Sequence, residues 1–289
     1  MKTKLFLLCL ALMPVFLGAQ EVPDSCIRVR FLGTGAADWK GPDKRGEHRR
    51  LSSILVDGSV LVDFTASDKD MLPDGLRPEV IFYTHSHRDH FDPAAALEVG
   101  VRRVYVSRSW IERASDAFAR AADDLGVQAP AVIPMDMQEC VVENGLSFKA
   151  LPANHSTSDL QEQALIYLIE KNGTRVLYAT DTGGLMANAA SGACIDAHKK
   201  DRKPLNGLIM EATMSDDEDF RIFAHSSVAT VLRTYHVLLK TGCYAADEGQ
   251  AVYLTHLART LHGTQAELDS SLPSPLKAAY DGLEVIFSR

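Results

Sequence analysis

Three histidines and an aspartate crowd into the six residues from His85 to His90, and this cluster constrains the fold more than any other stretch. The cluster reads His-Ser-His-Arg-Asp-His and directly follows the apolar run Val80–Tyr83. Asp92 and Pro93 come next, as an N-cap and a first helical residue would. The pattern predicts a tight strand-to-helix loop that aims several metal-binding side chains at one point. A solvated His-rich loop is the alternative.

The chain is long enough to form one large globular domain. It has 289 residues, of which 46% are hydrophobic and 24% are charged. That composition can bury a sizeable core. Because no low-complexity linker divides the chain, we predict a single domain over residues 20–289 in which two similar β-rich layers form a sandwich.

The N-terminus has the pattern of a secretory signal. Lys2 and Lys4 precede the apolar run Leu5–Leu17, and the small residues Gly18 and Ala19 then suit cleavage. We therefore expect residues 1–19 to be a signal peptide and the mature protein to be periplasmic or secreted. A buried helix is the alternative. No membrane span is expected, since the run is short and no later segment is apolar enough.

The charge of the chain argues against a nucleic-acid partner. The formal net charge is −8, and loss of residues 1–19 would make it more negative because two lysines leave with them. An acidic surface repels nucleic-acid backbones. A small anionic substrate remains compatible, because bound metal ions supply local positive charge. Loss of residues 1–19 leaves four cysteines, Cys26, Cys140, Cys194 and Cys243. They could be free thiols or form disulfides, for which three pairings are possible.

Turn signals and apolar periodicity predict further elements along the chain. The Gly-rich stretch Gly33–Asp38 ends a first strand, and we expect it to form a tight turn near the site rather than a dinucleotide loop. The pairs Asp57-Gly58 and Asn172-Gly173 predict hairpins. Apolar residues at helical spacing predict helices over Trp110–Asp124 and Ser226–Leu239.

Four predicted strands end at side chains that bind metals. The cluster follows one strand, and single residues follow the others: His155, Asp181 and His256. Loops at strand ends converge on one edge of a sheet, so these positions can meet. The number of candidate ligands fits two divalent ions bridged by Asp181. One ion would be held by His85, His87 and His155, and the other by Asp89, His90 and His256. Mixed imidazole and carboxylate ligands favour zinc, with manganese or iron as alternatives.

Together these motifs resemble the metallo-β-lactamase superfamily. The resemblance is carried by T-H-S-H-R-D-H, the later single His155, the D-T-G turn at Asp181 and the final L-T-H at His256. It implies an α/β (α+β) fold, a four-layer αββα sandwich, and hydrolysis at a dinuclear centre. The opening F-L-G-T-G and the ending Y-L-T-H are similar to the phosphodiesterase branch, which includes tRNase Z and the phosphoribosyl cyclic phosphate phosphodiesterase.

The resemblance also implies roles for three further positions. His225 matches an extra histidine of that branch, which would protonate the leaving alkoxide or hold the phosphate. Asp63 would support a ligand, and Asp89 would be catalytic as well as metal-binding. The segment between His155 and Asp181 is too short for the tRNA-binding arm of tRNase Z, which argues against tRNA processing. The zinc-binding cysteines of the phosphonate enzyme are also missing, because residues 39–50 contain no cysteine.

These expectations combine into one functional hypothesis. The chain is predicted to be an exported dinuclear hydrolase that cleaves a phosphodiester, cyclic ones included, with a metal-bridging hydroxide. The alternatives are a metal-dependent hydrolase of a carbon ester, lactone or thioester, and a non-catalytic metal- or ligand-binding module. The natural substrate and the oligomeric state stay open, a homodimer included.

Other polar residues lie near the motifs. Arg49 and Arg50 are interpreted as part of a solvated loop, with a loop that reaches the pocket as the alternative. Glu211 is equally compatible with supporting a ligand and with solvent exposure. For His262 two alternatives stay open, a position in the lining of the pocket and a position outside it. Surface or packing positions are expected for the remaining histidines, His48, His198 and His236.

Overall fold

The structure is a computed structural model that describes residues 24–194, 203–215, 221, 223–245 and 250–289. The predicted signal peptide at residues 1–19 and the predicted surface residue His198 lie outside these ranges. None of the helices within them combines the length and apolar character that a membrane crossing requires.

One seven-stranded sheet contains the His cluster. Its first three strands pair antiparallel and include a hairpin, whereas β3 to β6 run parallel to their neighbours. The last strand of the chain, β14, closes the edge beside β1. The strands are β1 (Ile27–Gly33), β2 (Ser53–Val56), β3 (Val60–Val62), β4 (Val80–Phe82), β5 (Arg103–Ser107), β6 (Ala131–Met135) and β14 (Glu284–Phe287).

The second seven-stranded sheet repeats this plan. Its strands β7 to β10 pair antiparallel in a meander, and β10 to β13 run parallel. The strands are β7 (Cys140–Glu143), β8 (Leu146–Pro152), β9 (Leu165–Lys171), β10 (Thr174–Ala179), β11 (Gly207–Glu211), β12 (Val252–Thr255) and β13 (Leu276–Ala278). Each sheet is thus half antiparallel and half parallel, which confirms two similar β-rich layers.

Helices cover the outer face of each sheet. Buried residues of α1 and α2 pack on the first sheet, and those of α3, α4 and α5 pack on the second. Two 3-10 helices, Ala66–Met71 and Arg108–Trp110, precede α1 and α2 respectively. The α-helices are α1 (Pro93–Val99), α2 (Ile111–Leu125), α3 (Ala187–Ala193), α4 (Val228–Lys240) and α5 (Gln265–Ser271). The predicted αββα sandwich is confirmed.

Strand β4 shows why the sequence reads as apolar runs rather than alternating patterns. Val80 and Phe82 belong to the core between the two sheets, whereas Ile81 belongs to the core under α1 and α2. Successive side chains of a strand point to opposite faces. Because both faces of this sheet are covered, apolar residues are needed at every position. The run then stops where the chain reaches the sheet edge and the polar cluster begins.

The predicted turns are confirmed by the backbone. Asp57 and Gly58 have φ of 47° and 63°, and Asn172 and Gly173 have φ of 46° and 91°. Positive φ at both residues is typical of type I′ turns, which connect the strands of short hairpins. The backbone at the start of the Gly-rich turn packs closely against the segment before β2, since a Cβ on Gly33 would lie 1.8 Å from the Leu51 carbonyl oxygen.

Some elements depart from the sequence predictions. Helices α3 and α5 and strand β13 were not predicted, because their segments carry no clear apolar periodicity. The interpretation of Arg49 as part of a solvated loop is wrong. Its guanidinium is buried and donates to Thr34 Oγ1 at 2.8 Å, to the Ala279 carbonyl at 2.7 Å and to Gln265 Oε1 at 2.7 Å. Arg49 thus ties the first strand to the C-terminal segment instead of facing solvent.

No disulfide joins the four described cysteines. Cys26 and Cys243 are buried, whereas Cys140 is exposed on the edge strand β7. Cys194 and Cys243 are neighbours, since each Sγ lies 3.3 Å from the backbone carbonyl oxygen of the other residue. Of the alternatives left open by the sequence, this structure contains thiols rather than disulfides among the described cysteines.

Candidate metal centre

The predicted ligands meet at one edge of the sandwich, and both sheets contribute to them. The cluster from His85 to His90 follows β4 of the first sheet. Three strands of the second sheet supply the rest: His155 follows β8, Asp181 follows β10 and His256 follows β12. The histidines at 85 and 90 are fully buried, and Asp181 and His256 are each 2% exposed. Residues far apart in sequence therefore form one buried polar cluster.

The first donor set consists of three imidazoles. His85 Nε2 lies 2.9 Å from His87 Nδ1, which in turn lies 3.2 Å from His155 Nε2. All three nitrogens lie within 4.8 Å of one another. This set, called triad A below, is the one predicted for the first ion.

The second donor set, called triad B below, mixes one carboxylate with two imidazoles. His90 Nε2 lies 3.3 Å from His256 Nε2, and each of these nitrogens lies 3.4 Å from Asp89 Oδ2. Around a tetrahedral zinc ion with bonds of about 2.0–2.2 Å, neighbouring ligand atoms are about 3.3–3.6 Å apart. The spacing of triad B fits such an ion, and triad A is slightly more compact.

Asp181 joins the two triads. Its Oδ2 lies 2.8 Å from His90 Nε2 and 3.3 Å from His256 Nε2, both in triad B. Its Oδ1 lies 3.8 Å from His155 Nε2 in triad A. One carboxylate therefore presents an oxygen to each donor set, which is the geometry expected of a bridging ligand.

Hydrogen bonds from the far side of each ring leave the converging nitrogens free to bind a cation. His155 Nδ1 lies 2.9 Å from the Ala224 carbonyl oxygen, so this nitrogen carries the proton and donates it. His90 Nδ1 likewise lies 2.8 Å from Asp63 Oδ2. Partners of this kind fix the tautomer of metal-binding histidines. His155 Nε2 therefore presents its lone pair to the centre, and His90 Nε2 faces the centre and can do the same once it has lost its proton.

Two threonine hydroxyls do the same for the other buried rings. Thr84 Oγ1 donates to Asp63 Oδ2 at 2.7 Å and so accepts from His85 Nδ1 at 3.0 Å. Thr213 Oγ1 lies 2.7 Å from His256 Nδ1 and also contacts a carboxylate oxygen of Glu211. A hydroxyl has one proton, so a hydroxyl that donates to a carboxylate accepts from the ring. The converging nitrogens are again the unprotonated ones.

The backbone is strained where these side chains enter the centre. Asp63, Asp181 and His256 have φ of 55°, 45° and 52°, in the left-handed region that favours glycine. Each costs free energy, on the order of 1–3 kcal/mol, and such strain clusters at functional sites. The backbone strain at these three positions thus points to a role for their side chains, since glycine would be easier to accommodate there.

Electrostatics keeps the carboxylates charged. Burial by itself would raise the pKa of Asp181, but the neighbouring His256 and His90 hold it well below its usual range. Burial likewise opposes the ionised form of Asp89, and His90 and His256 outweigh it and lower its pKa. Burial, with the charge of His90, lowers the pKa of His85 well below its usual value. These are the protonation states in which carboxylates and imidazoles bind cations.

His90 differs because it faces three carboxylates. Burial would lower its pKa, but Asp181, Asp89 and Asp63 raise it well above its usual value. Without a bound cation this ring therefore retains a proton on each nitrogen. Ions bind only the deprotonated nitrogen, so occupation of triad B displaces a proton.

His225 lies beside the centre and is held by Glu211. Its Nδ1 is 3.1 Å from Glu211 Oε1 and 3.6 Å from Asp181 Oδ1. Burial would lower the pKa of His225, but the hydrogen bond and charge of Glu211, with Asp181, raise it to about 9. Glu211 is fully buried and also accepts from the Thr182 backbone at 2.6 Å. The open question about Glu211 is thus resolved in favour of a buried support.

An open cleft of about 450 Å³ leads to the centre. Met214, Ala258 and Leu261 give it an apolar wall, and Arg221 and Asp38 add charged groups to its lining besides the ligands. The Gly-rich turn contributes Ala36 and Ala37, as predicted for a turn near the site. The cleft therefore offers room for a small molecule next to both triads.

Several other residues lie away from the cleft. His262 is 8% exposed, and its Nε2 lies 2.6 Å from the Ala212 carbonyl oxygen, so it supports the segment after β11 instead of lining the cleft. His48 and His236 are exposed, as predicted. Arg50 pairs with Asp70 and Asp281. Sequence reasoning did not single out Thr213 or Glu162, which contact the ligand segments, and it gave Thr84 no role although this residue opens the T-H-S-H-R-D-H motif. The polar loop positions of Thr213 and Glu162 carry no distinctive pattern.

Fold and site together define a member of a known superfamily. A family model described as a beta-lactamase superfamily domain matches residues 53–257. The chain therefore belongs to this superfamily of metal-dependent hydrolases. The matched region runs from β2 to the residue after His256 and so contains both triads. No curated protein sequence matches the chain.

Solved structures share the fold over nearly the whole chain. A diphosphatase from the PhnP family is 18% identical with a TM-score of 0.63, covering 91% of this chain and 97% of that one. Yeast PDE1 is 11% identical with a TM-score of 0.63, covering 91% and 99%. Zn²⁺-bound PqqB from Methylobacterium extorquens is 16% identical with a TM-score of 0.59, covering 89% and 99%. At these identities the likeness concerns the fold.

Proposed function

We propose that the protein is an exported hydrolase that uses two divalent metal ions to cleave a small phosphodiester, cyclic ones included. The observation that carries the proposal is the pair of donor triads joined by Asp181. Triads A and B each offer three donors at ligand spacing, and one carboxylate reaches both. The nitrogen and oxygen donors favour zinc, with manganese or iron as alternatives.

The metal pair would supply an activated water at neutral pH and positive charge for the phosphate oxygens. The residues of the chain do the remaining work. Asp63, Thr84 and Thr213 orient the rings, and Asp181 keeps negative charge between the triads. The buried setting strengthens these interactions by excluding water.

His225 is placed to handle the leaving group. Its Nδ1 is engaged by Glu211, which leaves Nε2 for a proton that can pass to a leaving alkoxide or hydrogen-bond to a phosphate oxygen. The ring lines the cleft together with Arg221, whose guanidinium favours an anionic substrate. The structurally similar PhnP-family diphosphatase acts at phosphorus, which supports a phosphoester rather than a carbon ester for this chain.

Metal analysis combined with a substrate panel tests the proposal. We expect two ions per chain and turnover of bis(p-nitrophenyl) phosphate that Asp181→Ala abolishes. His225→Ala should lower diesterase turnover by about 10²–10⁴-fold if the ring is the general acid. The matched control is His236→Ala, an exposed histidine on α4.

The outcomes separate the competing functions. Hydrolysis of lactones, thioesters or p-nitrophenyl acetate in preference to the diester would identify a carbon-ester hydrolase. Bound ions without any turnover would identify a binding module. A chain that binds no metal would contradict the proposal altogether.

Export and a small anionic substrate complete the proposal. The signal pattern of residues 1–19 supports export, and the formal net charge of −8 argues against a nucleic-acid substrate. Metal ions would supply the local positive charge that a small anion needs. Cell fractionation and N-terminal sequencing test export, and a mature chain that still begins at Met1 would contradict it. Sedimentation of the purified protein distinguishes a homodimer from a monomer.

A further inference from the structure

Glu162 is a buried carboxylate that the functional proposal does not use. It lies seven positions after His155, in the loop that leads to β9. The residue is 7% exposed, and its side chain is 0% exposed. A buried carboxylate is costly unless hydrogen bonds or an opposite charge compensate it.

The hydrogen bonds of Glu162 connect two separate loops. Its Oε1 accepts from the Ser86 backbone N–H at 2.7 Å, and its Oε2 accepts from Ser86 Oγ at 2.6 Å. Oε2 also accepts from Thr157 Oγ1 at 3.0 Å. Arg113 of α2 pairs with the same oxygen and donates to Ser86 Oγ at 3.1 Å. Both carboxylate oxygens are therefore occupied, and the charge is matched.

The two loops held in this way are those that carry triad A. Ser86 lies between the ligands His85 and His87, and Thr157 lies two residues after His155. Other residues hold the rings of triad B, since Asp63 accepts from His90 and Thr213 contacts His256. Asp63 also reaches triad A through Thr84 and His85, and Asp181 joins the two sets. The contacts of Glu162, by contrast, are with Ser86 and Thr157, which lie beside ligands of triad A, so its support acts on that triad.

We propose that Glu162, paired with Arg113, is a positioning residue that sets the ion affinity of triad A and leaves that of triad B unchanged. The proposal rests on the two-ion centre of the proposed function and extends it to a residue that touches neither ion nor substrate. Such supports commonly affect metal affinity by about 10–100-fold when they are lost.

Replacement by glutamine tests the hydrogen bonds with little change of volume. If the amide nitrogen takes the place of Oε1, it faces the Ser86 backbone N–H, which cannot rotate away. If it takes the place of Oε2, it faces Arg113 and loses the charge pairing. In either orientation at least one buried donor has no acceptor, and the Ser86 and Thr157 loops are no longer held together as before.

The decisive measurement is Cd²⁺ binding followed by cadmium NMR and by chelator competition. Triad A offers three nitrogen donors and triad B offers two nitrogens and an oxygen, so the two sites give separate resonances and the two affinities can be assigned. For Glu162→Gln we expect the affinity of the site at triad A to fall by about 10–100-fold and that of the site at triad B to stay within about twofold. Thr213→Val should show the reverse selectivity.

Glu143→Gln is the matched control. Glu143 is another largely buried carboxylate, and it accepts from Arg103 at 2.9 and 3.1 Å and from Tyr105 Oη at 2.6 Å, away from the centre. Both cadmium affinities should remain those of the wild type in this variant. Ser86→Ala is a milder probe that retains the backbone hydrogen bond, so it should weaken triad A less than Glu162→Gln does.

The possible failures are distinguishable. Unchanged affinities in Glu162→Gln, or equal losses at both sites in a variant whose metal-free melting matches that of Glu143→Gln, would overturn the positioning role. If Glu162→Gln does not fold, the same criteria apply to Ser86→Ala. A wild-type chain with only one cadmium resonance would contradict the two-ion centre and with it both proposals.

Discussion

Asp63→Asn tests whether the proton arrangement of the centre determines metal binding. Asp63 Oδ2 accepts from His90 Nδ1 at 2.8 Å and from Thr84 Oγ1 at 2.7 Å, and Oδ1 accepts from the Thr84 backbone at 2.8 Å. An asparagine offers one oxygen and one amide nitrogen for these three donors. Whichever way the amide turns, its nitrogen faces at least one N–H.

The cost of this mismatch falls mainly on the metal-bound state. Without an ion, His90 of the variant can release its Nδ1 proton and keep the proton on Nε2, which Asp181 Oδ2 accepts at 2.8 Å. With an ion at triad B, Nε2 must give up that proton, and a buried donor then faces the amide. An unpaired buried donor costs about 1–3 kcal/mol, which corresponds to about a 5- to 150-fold weaker Kd for that ion.

Chelator competition and thermal melting measure the two halves of this prediction. We expect a weaker Kd for the ion of triad B and only a small change in the melting temperature of the metal-free protein. Asp57→Asn is the control, because Asp57 has a similar backbone conformation at φ 47° but lies in the β2–β3 turn. Wild-type affinity for both ions in Asp63→Asn would refute the tautomer reasoning.

Three further predictions concern stability. Gly33→Ala should lower the unfolding free energy by about 3 kcal/mol or more, because the new Cβ would lie 1.8 Å from the Leu51 carbonyl oxygen; urea denaturation checks this, and an unchanged midpoint would contradict it. Arg49→Met should cost about 2 kcal/mol or more by leaving buried acceptors unpaired, while metal affinities measured by chelator competition should not change. Burial raises the pKa of Asp68 to about 7, so its stabilising protonated form is lost as pH rises from the unfolded value near 3.8 through 7. Relative to the wild type, Asp68→Asn should therefore gain stability over that interval, by at most about 4 kcal/mol. The free energy of unfolding of both proteins, measured against pH, checks this, and a difference that does not change with pH would contradict it.

The metal ligands could be predicted from sequence because their chemistry leaves few alternatives. His85, Asp181 and His256 each follow a run of apolar residues that is buried on both faces, and a polar metal-binding side chain directly after such a run is conspicuous. Strand ends on one sheet edge then bring such residues together. The observed helix Ile111–Leu125 likewise lies within one residue of the predicted Trp110–Asp124, because its apolar spacing is regular.

The supporting residues could not be predicted in the same way. Glu162 and Thr213 lie in polar loops, where many residues of the same type simply face solvent. Their roles arise from contacts between segments far apart in sequence, such as Glu162 with Ser86. Arg49 shows the same limit in the opposite direction, because its charged surroundings suggested solvent while tertiary contacts bury it.

The division of the donors between the two sheets has a consequence for the lifetime of the protein. The segment after β4 comes from one sheet, and His155, Asp181 and His256 come from the other. Ions bound between them would act as cross-links across the sandwich, joining its halves as a disulfide would. Binding to the folded state alone adds about 4 kcal/mol of stability for each ion when the free ion is 1,000 times its Kd. Metal supply would then control how long the chain resists proteolysis, as well as whether it is active.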